Sequence, residues 1–476
     1  MTHLEANGDA HPASWVSSRY NFAVALTDRV LLYNSNSGAA LQLSGEDSTE
    51  LADLLTKAIS EWQPESLPVE LREPLFGGGF LVESGTNEVE LIRQRYQNAR
   101  GWTPLVVTLT TTMDCNLGCY YCYESRTRHQ LDSTTIPALI DSVRELLRKR
   151  ADKSLHVDWY GGEPTLNLPF IKEASAALLA LCEAEAARYS ASIISNGTTW
   201  PADVAAFLSH TRIRQVQISF DGMKESHDHR RRYRKGRAPS EGSSSFEIAA
   251  ALVDRLLDLV RVDIRVNLDR RNQHELTEFV DFARERGWFS RKFRPAIQPA
   301  RLSAYSERSA FMRDYQLLGD EFEALRRRLR DYSGAEVLIE ESEAPDGYPY
   351  PRTSVCAALA RDSFVVGADG LKYRCGLQVG ETHRAVGRLS GNENSDSFAD
   401  AQWWESFDPT RQPNCSRCSF LPICLGGCPK KHLEGDIAAL EEQSIFWRRN
   451  LPRLIAEKFS CRAPPEFAFT EADQFR

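Results

Sequence analysis

Alternating apolar and polar residues divide the middle of the chain into strands and helices. Six segments rich in β-branched and aromatic residues predict strands, at 106–111, 155–160, 191–196, 215–220, 262–268 and 292–297. Apolar residues at helical spacing predict intervening helices at 134–150, 169–189, 201–209, 245–259 and 273–286. Regular alternation of strands and helices is typical of a parallel α/β sheet, so we expect one over residues 102–305.

The first hundred residues have a different pattern. Short apolar strands at 20–26, 30–34 and 40–44 are separated by turn residues. A helix at 46–59, a short helix at 65–75, a GGGFLV segment and a last helix at 87–99 follow. We expect residues 1–101 to form a small α+β domain.

The C-terminal part is predicted to contain a linker and a cysteine-rich domain. Residues 306–332 form an arginine-rich amphiphilic stretch, interpreted as a solvated helix within a linker over 306–350. The cysteine-rich region runs from 351 to 476.

Composition excludes several functional classes. At 476 residues the chain has room for about three domains. Its net charge of −8 gives no reason to expect nucleic acid as a partner. It has no apolar run of about 18 residues and no apolar signal segment near the N-terminus, so we expect no membrane span and a cytoplasmic location.

Most of the eleven cysteines lie in two groups. Clustered cysteines in a long chain without a secretion signal indicate metal or cluster ligation in a reducing compartment. Cys182 stands alone in an alanine- and leucine-rich helical stretch and is interpreted as a small buried hydrophobe.

The segment CNLGCYYC carries Cys115, Cys119 and Cys122. Three thiolates can hold three irons of a [4Fe–4S] cluster and leave one iron open, and an open metal position usually marks chemistry. The spacing, with Tyr121 before the last cysteine, resembles the radical S-adenosylmethionine (SAM) family. That resemblance implies SAM on the open iron, a 5′-deoxyadenosyl radical, and a partial (β/α)6 barrel with its site at the C-terminal strand ends. A zinc or structural-cluster site is the alternative.

Two more motifs end predicted strands. Gly161, Gly162 and Glu163 of a GGEP sequence follow the second strand. The resemblance implies that this motif binds the SAM amino group, whereas alone it would be an ordinary turn. Ser195 and Asn196 end the third strand, in a place suited to hydrogen bonds with the ribose hydroxyls.

The fourth strand leads into a polar segment. By resemblance, Ser219 and Arg231, the latter in an HDxxR pattern, contact the SAM carboxylate. Asp221 is either a site residue or a turn residue, and Asn267 either faces the adenosyl group or caps its strand. The basic run over 232–237 is interpreted as a mobile loop at the mouth of the site.

The C-terminal cysteines resemble the SPASM domain. The ligands that this resemblance implies for two auxiliary [4Fe–4S] clusters are Cys356, Cys375, Cys415, Cys418, Cys424, Cys428 and Cys461. Carried over, Cys415, Cys418, Cys424 and Cys461 complete one cluster, and Cys356, Cys375 and Cys428 supply three ligands of the other. The alternative is a four-thiolate zinc site at residues 415–428.

The N-terminal elements, placed before such a core, resemble the precursor recognition element of enzymes that modify ribosomally made peptides (RiPPs). In that family a winged-helix-like domain adds a leader peptide as a strand to a sheet edge. The combined expectation is a radical SAM/SPASM peptide maturase with SAM, three [4Fe–4S] clusters, a precursor peptide and an electron donor such as flavodoxin or ferredoxin. The alternatives are an anaerobic sulfatase-maturating enzyme, disfavoured because Gly376 follows Cys375 where that type has aspartate, and an iron–sulfur electron carrier.

Overall fold

The computed structural model describes residues 14–57, 61–63, 66–102, 104–305, 307–333, 348–390, 398–459 and 469–471. The chain divides into two compact units. We call residues 1–99, 344–354 and 408–476 the terminal unit, and residues 100–343 and 355–407 the barrel unit. The division into four domains predicted from the sequence stays a prediction.

The N-terminal part of the terminal unit contains two antiparallel groups of strands. Its strands are β1 (Trp15–Ser17), β2 (Asn21–Ala25), β3 (Val30–Asn34), β4 (Ala40–Leu43), β5 (Glu61–Trp62) and β6 (Leu81–Glu83). Its helices are α1 (Ser48–Thr56), α2 (Val69–Gly77) and α3 (Glu88–Trp102). The three strands predicted at 20–44 form a meander in the order β2–β3–β4.

The barrel unit is built on six parallel strands. These are β7 (Leu105–Thr110), β8 (Ser154–Tyr160), β9 (Arg188–Ser195), β10 (Ile213–Phe220), β11 (Arg261–Leu268) and β12 (Ala296–Arg301). The helices around them are α4 (Ile136–Lys149), α5 (Leu168–Ala184), α6 (Val204–Thr211), α7 (Lys224–Arg230), α8 (Ser245–Leu256) and α9 (Glu275–Glu285). The predicted parallel α/β order is confirmed, although β12 begins four residues later than expected.

Helices cover one face of this sheet. Alternate strand residues, such as Val107, Val157 and Ile264, pack with the helices in one apolar core. The residues between them, among them Asp158 and Arg265, point to the opposite face because side chains alternate along a strand. We call that opposite face the inner face. A parallel sheet covered by helices on one side only is the arrangement of a barrel-type α/β fold.

After helix α10 (Gly319–Ser333), three short strands extend the sheet beyond β7. They are β13 (Phe364–Val366), β14 (Leu371–Tyr373) and β15 (Gly387–Arg388), and helix α11 (Ala399–Ser406) follows them. Strand β13 pairs parallel to β7, with Val365 opposite Thr108. The nine strands therefore run in the order β12-β11-β10-β9-β8-β7-β13-β14-β15.

The C-terminal part of the terminal unit is mostly helical. It comprises α12 (Pro413–Ser416), α13 (Leu421–Cys424), α14 (Pro429–Glu434), α15 (Ile437–Lys458) and strand β16 (Phe469–Glu471). Strand β16 pairs antiparallel with β2, with Thr470 opposite Ala23. Strands β2 and β3 are buried on both faces, since Leu32 packs towards α1 and α2 while Tyr33 packs towards α13 and α15.

One described segment, Pro164–Ala184, is long and apolar enough to cross a membrane by length and composition. It contains α5, whose Phe170, Ile171, Ala174 and Leu178 are buried in the core of the barrel unit. The core helix of an α/β sheet meets the same criterion.

Candidate active site

The loop after β7 carries the first three cysteines. Cys115 is buried and Cys119 and Cys122 are half-buried, and none of the three forms a disulfide. The Leu117 N–H and the Asn196 side-chain amide donate to the Cys115 sulfur at 3.4 and 3.7 Å. Burial raises the pKa of Cys115 to about 12 and that of Cys122 to about 11, and Cys119 adds to both rises. The charge of a Cys119 thiolate would therefore disfavour ionisation of the other two thiols.

The two glycines of the GGEP segment let it approach the cysteine loop. A Cβ on Gly161 would lie 2.4 Å from the Thr112 carbonyl oxygen, and one on Gly162 would lie 2.4 Å from that of Asp114. Gly161 also has a positive φ of 138°. The Gly162 N–H donates to Thr112 O and the Glu163 N–H to Asp114 O, both at 3.0 Å. The glycines thus fix the backbone that leads to Cys115.

Glu163 is wholly buried and its carboxylate accepts hydrogen bonds from the protein. Thr165 Oγ1 donates at 2.6 Å, Ser195 Oγ at 2.9 Å and the Asn196 N–H at 2.7 Å. Burial raises the pKa of Glu163, and these donors partly offset that rise. The structure thus joins the GGEP segment to the end of β9, and Glu163 connects predicted site residues to one another.

Asn196 connects the end of β9 to the cysteine loop. Its Nδ2 donates to Asn116 Oδ1 at 2.9 Å, and Asn116 Nδ2 donates to Thr198 Oγ1 at 2.8 Å. Ser195 Oγ accepts from the Gly197 N–H and from Trp200 Nε1, both at 2.9 Å. In this structure the side chains of Ser195 and Asn196 are occupied by protein partners, so their predicted contacts with a ribose stay a prediction.

Asp221 is the centre of a buried polar network. Its carboxylate accepts from Tyr121 OH at 2.8 Å, Arg230 Nε at 3.1 Å, Asn267 Nδ2 at 3.2 Å and Arg231 Nη1 at 3.3 Å. Burial raises the pKa of Asp221, but Arg231 and Arg230 outweigh it and hold the pKa below its ordinary value. From the sequence, Asp221 is either a site residue or a turn residue, and Asn267 either faces the adenosyl group or caps its strand. The structure brings both together with Tyr121 and Arg231.

A second buried carboxylate extends this network. Arg230 Nη2 donates to Asp269 at 3.1 Å, and Arg271 donates to the same carboxylate at 2.9 Å and to Tyr120 OH at 2.5 Å. Asp269 is fully buried. Nothing in the local pattern distinguishes these residues from ordinary surface charges, so sequence reasoning missed them.

The basic run after Arg231 contacts the cysteine loop, and its interpretation as a mobile loop stays a prediction. Arg234 donates to the Asp114 carboxylate at 2.6 Å and to Cys115 O at 2.9 Å, and Arg237 donates to Asp114 at 2.8 Å. The Gly118 N–H donates to Arg232 O at 2.7 Å. The opposite charge of Asp114 is the physical reason for these contacts, because it gives two arginines a shared partner.

The possible metal ligands of the cysteine loop fit an iron–sulfur cluster that binds SAM better than they fit a single metal ion. Among the described residues, no three His, Cys, Asp or Glu side chains are grouped closely enough to hold one ion. A cubane cluster takes each thiolate on a different iron, so its ligands are spread more widely. In the Asp221 network, Arg231 Nε is buried and has no hydrogen-bond partner in the residues that the structure describes. A buried guanidinium N–H of this kind is suited to an anionic group of a ligand.

The second group of cysteines lies in both units. In the terminal unit, Cys418 and Cys424 both raise the pKa of Cys415, which burial brings to about 12. In the same unit the Gly426 N–H and Trp447 donate to Cys424. Cys428 is exposed in this unit.

The remaining C-terminal cysteines are Cys356, exposed, and Cys375, half-buried, both in the barrel unit. Cys461 lies outside the described residues. The ligand sets predicted for the two auxiliary clusters stay predictions.

Three acidic or imidazole side chains lie near Cys375 in the sequence and differ in their surroundings. Asp369 accepts from the Leu371 N–H at 3.1 Å and from Tyr373 OH at 2.8 Å, which is a local turn. His383 is exposed and Glu381 is half-buried. None of these observations assigns a catalytic role.

Comparison with known proteins identifies the class. The model of the radical SAM superfamily matches residues 109–283, which include the cysteine loop, the GGEP segment and the Asp221 network. This part of the chain is a radical SAM domain. Such a domain implies SAM and a [4Fe–4S] cluster as cofactors.

The relatives are enzymes of peptide and protein maturation. The serine-type anaerobic sulfatase-maturating enzyme of Klebsiella pneumoniae is 26% identical over 336 residues, 66% of this chain and 79% of its own length. The mycofactocin maturase MftC of Mycobacterium tuberculosis is 26% identical over 342 residues, 68% of this chain and 78% of its own. The solved structure of native anSMEcpe with bound AdoMet and Kp18Cys peptide covers 75% of this chain at a TM-score of 0.57 and 20% identity. That likeness confirms the radical SAM fold.

Proposed function

We propose that the protein is a radical SAM peptide maturase that modifies a ribosomally made precursor peptide by hydrogen abstraction. The observation that carries the proposal is the gathering of Cys115, Cys119 and Cys122 on a loop held by the GGEP segment and the end of β9. Cys115, Cys119 and Cys122 would hold a [4Fe–4S] cluster with one open iron. With SAM bound there, the pair supplies a 5′-deoxyadenosyl radical for hydrogen abstraction.

The chain's own residues would orient SAM by two kinds of group. The carbonyl oxygens of Gly161 and Gly162 accept no hydrogen bond from the described residues, so they are available to an ammonium group. Arg231 Nε is a buried donor without a partner among the described residues and would meet the SAM carboxylate, as would Ser219 near the end of β10. Because the Glu163 carboxylate is already occupied, its part would be to hold the GGEP backbone in place.

The auxiliary clusters belong to the same proposal. Cys415, Cys418 and Cys424, with Cys461, would hold one, and Cys356, Cys375 and Cys428 would hold the other. Cys418 and Cys424 raise the pKa of Cys415, and Cys418 raises that of Cys424, which supports the first assignment. Iron and sulfide analysis of the reconstituted protein tests the total of three clusters.

The terminal unit would bind the leader of the precursor peptide. Strand β16 covers the outer edge of β2, while β4 has no neighbour beyond β3 among the described strands. The edge of β4, Ala40–Leu43, is therefore where an added strand would pair. Amide exchange with a precursor encoded beside the gene tests this, since protection should rise at 40–43; unchanged exchange there would reject the leader site.

The direct test of the enzyme is 5′-deoxyadenosine formation. Anaerobically reconstituted protein with SAM and dithionite should form it, and a neighbouring precursor peptide should change mass. An inactive protein would instead favour an iron–sulfur electron carrier.

A sulfatase-maturating activity is the second candidate, because such an enzyme is among the relatives. Gly376 offers no side-chain carboxylate after Cys375, and nothing lies within 4 Å of where its Cβ would be. Conversion of a cysteine or serine in a sulfatase-derived peptide to formylglycine would establish this candidate over the first.

A further inference from the structure

The inner face of the barrel sheet carries an arginine without an acidic partner. Arg265 lies on β11 and is half-buried. Its Nε donates to Asn267 Oδ1 at 3.0 Å, and its two terminal amino groups have no hydrogen-bond or ion-pair partner among the described residues. By contrast, Arg230, Arg231 and Arg271 nearby all pair with carboxylates. A half-buried guanidinium whose terminal amino groups have no protein acceptor is suited to an anionic ligand.

A second unused donor lies beside it. Gln298 on β12 is directly opposite Arg265 in the parallel register, so the two side chains emerge on the same face of neighbouring strands. Gln298 Nε2 is buried and has no hydrogen-bond partner within the described part of the chain. Natural interiors leave few such donors unsatisfied, and adjacent ones indicate a ligand acceptor.

The pair lies next to one proposed SAM contact, because Arg265 is directly opposite Ser219 of β10 in the parallel register. Arg265 lies two residues before Asn267 on β11, so both side chains are on the inner face and Arg265 is further from the C-terminal end of the strand. Asn267 in turn donates to Asp221. The positive charge of Arg265 opposes the rise that burial causes in the pKa of Tyr123. The Tyr123 hydroxyl is hydrogen-bonded to that of Tyr160 at the end of β8. This is the inner side of the sheet, where a substrate residue would enter, whereas Arg231 remains available to SAM.

We propose that Arg265 and Gln298 form a carboxylate-binding site that holds an acidic group of the peptide substrate. The planar guanidinium would hold the carboxylate through two parallel hydrogen bonds, and the Gln298 amide would donate a third. The carboxylate would come from an aspartate or glutamate side chain or from a peptide C-terminus. The inference rests on the proposed function for the identity of the ligand as a peptide.

The test uses reconstituted full-length protein and capped amino acids. Binding of N-acetyl-glutamate N′-methylamide is compared with that of N-acetyl-glutamine N′-methylamide by saturation-transfer NMR, and N-acetyl-alanine is compared with its methylamide. We expect at least tenfold tighter binding of one or both carboxylates. The first comparison identifies a side-chain carboxylate and the second a terminal one; no preference in either would overturn the site.

Variants then assign the preference to these residues. Arg265→Gln should abolish the preference for the carboxylate ligand over its uncharged analogue. Gln298→Leu should reduce that preference about threefold, and Arg265→Lys should retain part of it. The matched control is Arg261→Gln, on the same strand and face but paired with Asp263 at 3.3 Å, which should keep the full preference. If Arg265→Gln lowers SAM affinity tenfold and leaves the carboxylate preference intact, the ligand is the cosubstrate and the proposal is wrong.

A measurement on the wild-type protein tests the site even if a variant does not fold. Phenylglyoxal modification of Arg265, followed by mass spectrometry, should slow at least fivefold with capped glutamate and not with capped glutamine. Equal rates would contradict the site. Failure of the proposed function is separate, because it would show as absent 5′-deoxyadenosine in wild-type protein whatever the carboxylate preference.

Discussion

The two cysteine-bearing segments hold their thiols by different physical means. The loop over 115–122 is fixed by charged and amide groups, with Asp114, Asp221 and four arginines on or beside it. The segment over 415–428 is fixed by apolar packing of Phe420 and Ile423 and by a turn of three left-handed residues, Leu425 to Gly427. The polar loop leaves donors for a ligand, whereas the second segment surrounds Cys418 and Cys424 mainly with apolar groups and leaves Cys428 exposed.

Removal of one thiol from the loop over 115–122 is expected to have the largest effect on activity. Cys119→Ala should reduce 5′-deoxyadenosine formation at least 1,000-fold and lower the iron content by about one cluster, while signals from auxiliary clusters persist. Cys182→Ala is the matched control, since this buried thiol packs in the core of the barrel unit and should leave both readouts unchanged. Loss of all iron in Cys119→Ala would show that the segments are loaded together.

Neutralising Asp221 tests whether charge fixes the first loop. Asp221→Asn leaves Arg230 and Arg231 buried without their shared carboxylate, which should cost about 3–5 kcal/mol and weaken SAM binding. Apparent melting temperature and SAM affinity measure this. Asp258→Asn, which removes an exposed pair with Arg291, should cost under about 1 kcal/mol. Similar losses in both variants would mean that the network is ordinary surface charge.

Adding a methyl group at Gly426 tests whether tight backbone packing holds the segment over 415–428. Gly426 has a φ of 78°, and a Cβ there would lie 2.8 Å from Pro409 Cβ. Gly426→Ala should therefore cost about 2 kcal/mol or more and lower auxiliary iron, with SAM cleavage retained. Gly435→Ala separates backbone strain from crowding, because Gly435 has a φ of 67° with nothing within 4 Å. We expect about 1 kcal/mol there, and an equal loss in both would remove the packing argument.

A smaller effect concerns pH. His227 is buried beside Phe220 and Phe246, and burial lowers its pKa from 6.5 to about 3. The folded protein keeps His227 neutral while the unfolded chain takes up a proton below pH 6.5, so this contribution to stability is lost as pH falls from 6.5 towards 3. Between pH 7.5 and 5.5 the loss is about 1.4 kcal/mol.

Denaturation midpoints at the two pH values measure it. His227→Gln should be less stable at pH 7.5 but should lose about 1.4 kcal/mol less on acidification. Identical pH dependence in both proteins would show that His227 does not remain neutral in the fold.

The sequence predicts the parallel sheet and the cysteine loop well because both are local patterns. It does not predict the pairing of Asp114 with Arg234 and Arg237, since these residues are about 120 positions apart and each resembles a solvated charge. The strands β13–β15 have two or three residues each, too few to show a period. Asp221 was left ambiguous because an Asp-Gly pair is also a turn signal, and only its four partners distinguish the two roles.

The pairing of β16 with β2 has a consequence for how the chain is made. Thr470 lies opposite Ala23, so this sheet joins residues separated by most of the polypeptide. At about 5–20 residues per second, a ribosome needs roughly 20–90 s to pass from one strand to the other. During synthesis the outer edge of β2 therefore stays unpaired until residues 469–471 have been made, and an unpaired strand edge can pair with another chain.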